Sequence, residues 1–222
     1  NEDSLDVEFD ETSLFLPSRY TGVDRLEGGT RVAYGVRHGI IGDNGSRLDM
    51  LLGQIYRFSD EDTFREGSGL NDNASDIVGR INFRPRSWFD LNYGVRLDKD
   101  DFSFTRQEAL GAFGNKYLRP HVSYSFLKQT NSSTLVKEFV EEISYNVSSN
   151  FAENWHLLFG HLQAIQPNPG ARNSYVKLTY QDECFTAGVT AKRDHTKRID
   201  VEEGSSILFH FYLKNIGGFS TD

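Results

Sequence analysis

The sequence predicts an all-β chain whose strands form an antiparallel transmembrane β-barrel, with about eleven to twelve strands here. Three observations predict it. The first is strands of roughly eleven residues, longer than the five or six of ordinary globular sheets and long enough to cross a bilayer at a tilt. The second is alternation of apolar and polar side chains along those strands. The third is that the breaks between strands are alternately short and long, as outer-membrane barrels have them. At 222 residues the chain suits a single all-β domain. Hydrophobic residues make up only 37% and mean hydropathy is -0.52, so no apolar run supports a transmembrane helix. A barrel strand shows lipid only every second side chain, which leaves such averages low. The 17 Phe and 10 Tyr suit interfacial girdles, as they suit any sheet. A net charge of -8 without a basic run argues against a nucleic-acid partner.

Residues 1–17 form an acidic N-terminal segment with a candidate strand around Leu5 to Phe9. Residues 18–219 carry the barrel strands and loops, and 220–222 are a C-terminal tail. No charged-then-apolar leader precedes Asn1, which reads as a mature terminus or a fragment edge. After the polar loop 18–29, Val32, Tyr34, Val36, His38 and Ile40 alternate with Arg31, Ala33, Gly35, Arg37 and Gly39. Asn44-Gly45 marks a tight hairpin into a strand over 47–58. There Leu51 and Ile55 share a face with Arg47 and Arg57, which calls for a bulge near Gly53 or apolar packing inside the lumen. Residues 59–76 read as a long solvated loop carrying Asp60, Glu61, Asp62, Glu66, Asp72 and Asp76 without calcium-loop spacing.

The cleanest pair is Ile77 to Arg84 and Phe89 to Leu97, joined by Pro85-Arg86-Ser87. A weaker strand spans 102–110 and a better one 118–126, with Pro120 near its start. Strands 136–149 and 154–165 form a hairpin around 149–153, and Pro167 and Pro169 break the chain after it. Strands 175–180 and 185–192 pair across Gln181-Asp182-Glu183-Cys184. Counting from Thr30 gives eleven strands, an odd number for a bacterial barrel. Either the N-terminal segment supplies a twelfth or strands are missing upstream. If each turn changes side, the short breaks at 42–46, 85–87, 111–116, 150–153 and 181–184 face the periplasm, with the C-terminus. The longer breaks face outward.

The last strand, Gly204 to Phe219, places Ile207, Phe209, Phe211 and Leu213 on one wholly apolar face and Leu208, His210, Tyr212 and Lys214 on the other. Phe219 is a near-terminal aromatic of the kind that signals barrel assembly. A core strand of a soluble sandwich reads the same way. The cations Arg31, Arg37, Arg47, Arg57, Arg80, Arg84, Arg96, Arg119, Lys177 and Lys192 fall on polar faces. In a barrel they line the lumen or its rims and attract anionic cargo; on an ordinary sheet they pair across strands. No motif for a hydrolase elbow, phosphate loop or zinc protease is present. His156 and His161, five apart, face opposite sides of a strand and share no metal. These readings expect no catalytic residues, no metal and no cofactor. Two alternatives stand: a small barrel hydrolase using Ser144 or Ser123 with His121, and a passive porin.

Four stretches carry a resemblance: GVDRLEGGTRVAYGV (Gly22 to Val36), LLGQIYRF (Leu51 to Phe58), YQDECFTAGVTAKR (Tyr180 to Arg193) and LFHFYLKNIGGF (Leu208 to Phe219). Together, and in this order, they resemble the C-terminal barrel region of the LPS-assembly family LptD (Imp/OstA). The resemblance implies less than half of a barrel of about 26 strands. It implies an outer-membrane translocon of a Gram-negative bacterium that inserts lipopolysaccharide into the outer leaflet through a lumen and a lateral seam, and not an enzyme. The implied partners are lipopolysaccharide, an LptE-like lipoprotein plug, a periplasmic LptA-like bridge reached through an N-terminal domain, and the barrel assembly machinery. Ile207, Phe209, Phe211 and Leu213 would then lie on the last strand, one wall of the seam. Cys184 sits where the family often has two adjacent cysteines, the first replaced here by Glu183, so one disulfide to an N-terminal region is implied.

Overall fold

In a computed structural model the described residues are 7–20, 27–59, 64, 67–130, 137–196, 203–214 and 217–220. They form twelve strands: β1 (Arg31–Ile41), β2 (Arg47–Arg57), β3 (Ile77–Arg86), β4 (Phe89–Leu97), β5 (Phe104–Phe113), β6 (Arg119–Thr130), β7 (Lys137–Ala152), β8 (Trp155–Gln166), β9 (Gly170–Gln181), β10 (Phe185–Asp194), β11 (Gly204–Leu213) and β12 (Gly217–Ser220). Their hydrogen-bonded order is the order of the chain, β1 through β12, in one sheet. No helix occurs among the described residues. A meander of this kind needs only short reversals, and the residues at the reversals supply them. In the β1–β2 turn Gly45 takes φ 79°, open to glycine at little cost, and Asn44 Oδ1 accepts the Ser46 N–H at 3.1 Å. In the β9–β10 turn Asp182 Oδ1 accepts the N–H groups of Cys184 (2.7 Å) and Phe185 (2.8 Å), which holds its carboxyl below the usual range.

The structure corrects several sequence expectations. The twelfth strand comes from the other end of the chain. What reads as one strand from Gly204 to Phe219 reverses after Leu213, and Phe219 lies opposite Phe211 in an antiparallel return. Val7 to Asp10 are not strand, and the remainder of the expected Leu5 to Phe9 strand falls outside the described residues. The fifth strand begins at Phe104, after a turn in which Phe102 takes φ 57°. Asn150 to Ala152 belong to β7, not to a turn, with a register shift between Ser149 and Ala152.

The chain divides into two compact units, Asn1–Arg86 with Leu91–Ala109 and Ser125–Val140, and Ser87–Asp90 with Leu110–Tyr124 and Glu141–Asp222. The first unit has its core on what the strand pattern marks as the polar face. Val7, Phe9 and Leu14 from the N-terminal segment, Tyr20 just after it, and Phe64 and Leu70 from the β2–β3 loop pack on Ile55 and Val78, with Leu51 beside them. The β1–β2 register runs without a shift, so Leu51 and Ile55 face this filling and no bulge is needed. Gly53 makes room for it: a Cβ there would lie 2.4 Å from Leu14 Cδ2. Within the loop 59–76, the described residues 64 and 67–76 are not solvated throughout as its acids suggest. Leu70 is buried, Ser75 N–H donates to Ile55 O (2.9 Å), and Arg57 N–H donates to Asn73 O (2.6 Å). Asp60, Glu61, Asp62 and Glu66 lie outside the described residues.

In the second unit, two inward glycines are covered by rings from the neighbouring strand. His210 lies over Gly188 and Tyr175 over Gly160, each with ring atoms 2.3 Å from where a Cβ would stand. A ring over a bare glycine restores the packing that the missing side chain forgoes.

Candidate functional site

The opposite face of each unit is apolar and bare. In the first unit Val32, Tyr34, Val36 and Ile40 of β1 stand opposite Tyr56, Gln54, Leu52 and Leu48 of β2. The Ile40–Leu48 row continues to Phe83 of β3, and Ile81 of β3 stands beside Met50, which faces His38 of β1. Val36 is 72% exposed and Leu52 54%, values that in water would carry a steep hydrophobic cost. In the second unit the ladder Leu157, Leu178, Val189, Phe209 crosses β8 to β11, and beside it runs Phe159, Val176, Ala191, Ile207. At the turn end of this unit an aromatic row is continuous: Phe151 to Trp155 (6.4 Å between ring centroids), Trp155 to Tyr180 (5.2 Å), Tyr180 to Phe185 (5.4 Å) and Phe185 to Phe211 (5.6 Å). An exposed apolar band closed by an aromatic row is the surface that a lipid-facing strand presents at a bilayer interface.

Ile207, Phe209, Phe211 and Leu213 share this outer face of β11, with Phe209 57% exposed and His210 turned the other way onto Gly188. Only His210 to Leu213 pair with β12, so β11 from Gly204 to Phe209 has β10 as its one neighbour among the described residues. Cys184 is exposed with a free thiol in the β9–β10 turn.

The expected inner-face cations separate into two groups. Arg37 pairs with Asp49 at 2.9 Å, and Arg80 reaches the same carboxylate at 3.8 Å. Both border a cleft of about 390 Å³ with Glu11, Thr12, Phe15 and Leu51. Arg84 stands opposite Arg47, and Lys192 pairs with Asp194 at 2.9 Å. Arg96 differs from these open charges. It is 1% exposed and donates to Phe9 O (3.2 Å), Ser68 O (3.0 Å), Gly67 O (3.1 Å) and Thr105 Oγ1 (3.0 Å), beside Asp76 at 3.4 Å. It is a clamp on the N-terminal segment and the following loop, and it is closed to cargo. Burial, opposed by Arg96, leaves the Asp76 carboxyl above its usual range.

Arg31 belongs to a second clamp that the sequence reading missed. Glu27 has a fully buried side chain and pairs with Arg19 (2.5 Å), Arg57 (2.6 Å) and Arg31 (3.5 Å). Arg31 also donates to Pro17 O, and Arg57 stacks over Phe64 with its guanidinium carbon 4.1 Å from the ring centroid. Nothing in the spacing of Arg19, Glu27 and Arg57 marks them as one group. The Asp10-Glu11-Thr12-Ser13 turn that starts the segment was readable, since Asp10 Oδ1 accepts from Thr12 N (2.9 Å) and Ser13 N (2.9 Å).

The serine and histidine candidates do not assemble as a nucleophile and base. Ser123 and Ser144 hydroxyls lie 2.7 Å from each other, Asn146 Nδ2 donates to Ser144 at 3.4 Å, and His121 enters neither contact. His156 Nδ1 meets Asn150 Oδ1 at 2.8 Å, while His161 Nδ1 meets Ser174 Oγ at 2.8 Å.

Comparison with known proteins agrees with this two-faced wall. The family model described as LPS transport system D, LptD, matches residues 1–155. The chain is 25% identical to the LPS-assembly protein LptD of Pseudoalteromonas atlantica, over 96% of this chain and 28% of that protein. Against the LPS-assembly protein LptD of Acinetobacter baumannii it is 26% identical, over 99% of this chain and 27% of the relative. Against that of Escherichia coli K12 it is 24% identical, over 87% of this chain and 26% of the relative. The chain thus spans little more than a quarter of the length of these relatives. With the family model covering well over half of its residues, the chain belongs to the LptD family of LPS transport proteins.

Proposed function

We propose that this chain is the C-terminal part of the wall of an outer-membrane translocon that inserts lipopolysaccharide into the outer leaflet of a Gram-negative envelope. The observation that carries the reading is the opposition of faces on the same strands. In the first unit the exposed apolar side chains Val32, Val36, Ile40 and Leu52 lie on one side of β1 and β2, and Arg37, Asp49 and Arg80 lie on the other side of β1 to β3. The first suits acyl chains; the second suits the phosphates and acidic sugars of a glycolipid headgroup moving through a lumen. The cleft at Arg37 and Arg80, with Phe15 and Leu51 beside them, offers charge and an apolar rim together.

In this reading β11 is one wall of the lateral seam, with Ile207, Phe209, Phe211 and Leu213 toward lipid. A seam that opens must leave few backbone groups unpaired in hydrocarbon, and the short reach of β12 along β11 suits that need. The Leu213 end of β11 faces the periplasm, with the C-terminus on the short return of β12, Phe219 serves assembly by the barrel machinery, and Cys184 forms a disulfide with a cysteine outside these residues. The lumen takes an LptE-like lipoprotein, and an LptA-like bridge delivers cargo from the periplasm. The role is transport, without a catalytic step.

The test is photocrosslinking in cells that express the full-length protein. A photoreactive side chain at Arg37 or Arg80 is expected to capture lipopolysaccharide during active transport and to lose it when transport is stalled. One at Val36 is expected to capture bulk lipid in both states. Capture of lipopolysaccharide at Val36 but never at Arg37 or Arg80 would overturn the inner-face route.

A further inference from the structure

The outer face of the second unit changes character abruptly. Along β8 to β11 the apolar ladder Phe159, Val176, Ala191, Ile207 is followed, one row further from the aromatic edge, by His161, Ser174, Arg193, Ser205. Every member of the first row is apolar and every member of the second polar, and two of the second are basic or imidazole groups. The aromatic row at Trp155 and the polar row at His161 are six residues apart, about 20 Å along a strand, which at the roughly 40° tilt of barrel strands is about 15 Å of the roughly 25 Å lipid-facing band. The change from an apolar to a polar row on the same outer face is what marks a boundary with lipid headgroups.

The groups in this row are held in place. Ser174 Oγ lies 2.8 Å from His161 Nδ1 and 3.4 Å from His195 Nε2, so one hydroxyl fixes two imidazoles from different elements. Neighbouring strands are about 4.8 Å apart, which sets His161, Ser174 and Arg193 side by side over about 10 Å. Arg193 is exposed, and its guanidinium has no acidic partner among the described residues. The adjacent carboxylate, Asp194, is occupied by Lys192 at 2.9 Å. A guanidinium binds phosphate through two parallel N–H donors, and Arg193 presents one at this exposed row.

The geometry points to a binding site for the phosphate of an outer-leaflet glycolipid on the outside of the wall, formed by Arg193, His161, His195 and Ser174. Its acyl chains lie on Phe159, Val176 and Ile207. The site is distinct from the lumen route and rests on the reading of these strands as an outer-membrane barrel. It holds a lipid that has already reached the outer leaflet, against the surface from which the strands present Phe209 and Ile207.

The test uses the full-length protein extracted from native outer membranes in mild detergent, with retained lipid measured by native mass spectrometry. Three probes are added back separately: bisphosphorylated lipid A, its enzymatically dephosphorylated form, and phosphatidylglycerol. Wild type is expected to retain bisphosphorylated lipid A about tenfold or more over the dephosphorylated form, the scale of a charge-assisted hydrogen bond. Arg193→Gln, and Arg193→Gln with His195→Gln, are expected to erase that preference while leaving heat-modifiable migration unchanged. Equal retention of the two lipid A forms by wild type would overturn the proposal whether or not the variants assemble. Equal retention of phosphatidylglycerol would overturn its assignment to a glycolipid. Absence of the wild-type protein from the outer-membrane fraction would instead sink the barrel reading on which it rests.

Discussion

Replacement of Arg96 tests whether the N-terminal segment is fastened to the wall by a buried cation. The guanidinium is 1% exposed and holds Phe9 O, Gly67 O, Ser68 O and Thr105 Oγ1 at 3.0 to 3.2 Å, with Asp76 at 3.4 Å. Arg96→Met keeps much of the side-chain volume and takes a donor from three carbonyls and from Asp76, of which Ser68 O keeps the Phe9 N–H (3.1 Å) and Asp76 the Thr105 hydroxyl (3.3 Å). Removing one member of a buried ion pair costs about 3–5 kcal/mol. At about 1.36 kcal/mol per tenfold, local opening becomes roughly 10² to 5 × 10³ times more frequent. Arg19 follows the fastened segment by two residues, donates to Leu14 O within it (3.2 Å) and is buried, so it is a protected tryptic site. Cleavage after Arg19, measured in native membranes on the full-length protein, tracks the open population when reclosing is fast. Arg96→Met is expected to raise that cleavage by at least one hundredfold. Arg96→Met with Asp76→Asn should recover part of the loss, because the stranded charge is gone. Wild-type cleavage rates in Arg96→Met would refute the clamp.

Gly53→Val places carbon against Leu14 Cδ2 and against Tyr34 O, 2.4 and 2.9 Å from the first added atom, and is expected to cost about 1–3 kcal/mol as overpacking. Adding Leu14→Ala should relieve the side-chain clash and leave the carbonyl one, a partial recovery visible in the heat-modifiability midpoint. Asp10 supplies a pH-dependent contribution. Burial pushes its carboxyl up, but hydrogen bonds from Thr12, Ser13 and Arg106 outweigh it and hold the pKa below 3.8. The stabilisation is therefore present above pH 3.8 and lost as pH falls through the lower folded value. A difference between wild type and Asp10→Asn should be constant at neutral pH and close below that value; a gap that widens on acidification would contradict the sign. Phe209→Arg is expected to reduce folded protein in the membrane far more than His210→Arg, by about 2–4 kcal/mol if Phe209 lies near the bilayer midplane. Equal tolerance at the two positions, read by urea unfolding in lipid vesicles, would remove the lipid-facing assignment of β11.

What was readable in advance follows from what is local. The β1–β2 hairpin needs only Asn44-Gly45 and period-two alternation, and the β9–β10 hairpin only Asp182 and its neighbours, so both lie where the sequence places them. The inner-face filling was not readable. Leu51 and Ile55 sit in the sequence as misplaced apolar residues among arginines, and only Phe9 and Leu14, some forty positions earlier, explain them. The described part of the β2–β3 loop misleads for a related reason: acids dominate the composition of the loop, while Leu70 packs into the core. Arg96 meets Phe9 across 87 positions and Glu27 meets Arg57 across 30, separations at which charge patterning carries no information. The reversal after Leu213 was hidden because the apolar alternation continues to the end of β11 and Phe219 extends the impression of one strand. The polar row at His161, Ser174 and Arg193 is a property of register, which spacing within one strand does not reveal.

The central claim is that alternate residues of these strands face lipid on one side and an aqueous interior on the other. Spin labels placed singly from Trp155 to His161 of β8, in the full-length protein in native outer membranes, test it most directly through collision with oxygen and with a water-soluble nickel chelate. The account predicts oxygen-dominated collisions at Trp155, Leu157 and Phe159, nickel-dominated collisions at His156 and Leu158, and a change to mixed access at His161. Uniform access along the strand, or nickel access at Leu157 and Phe159, would contradict it.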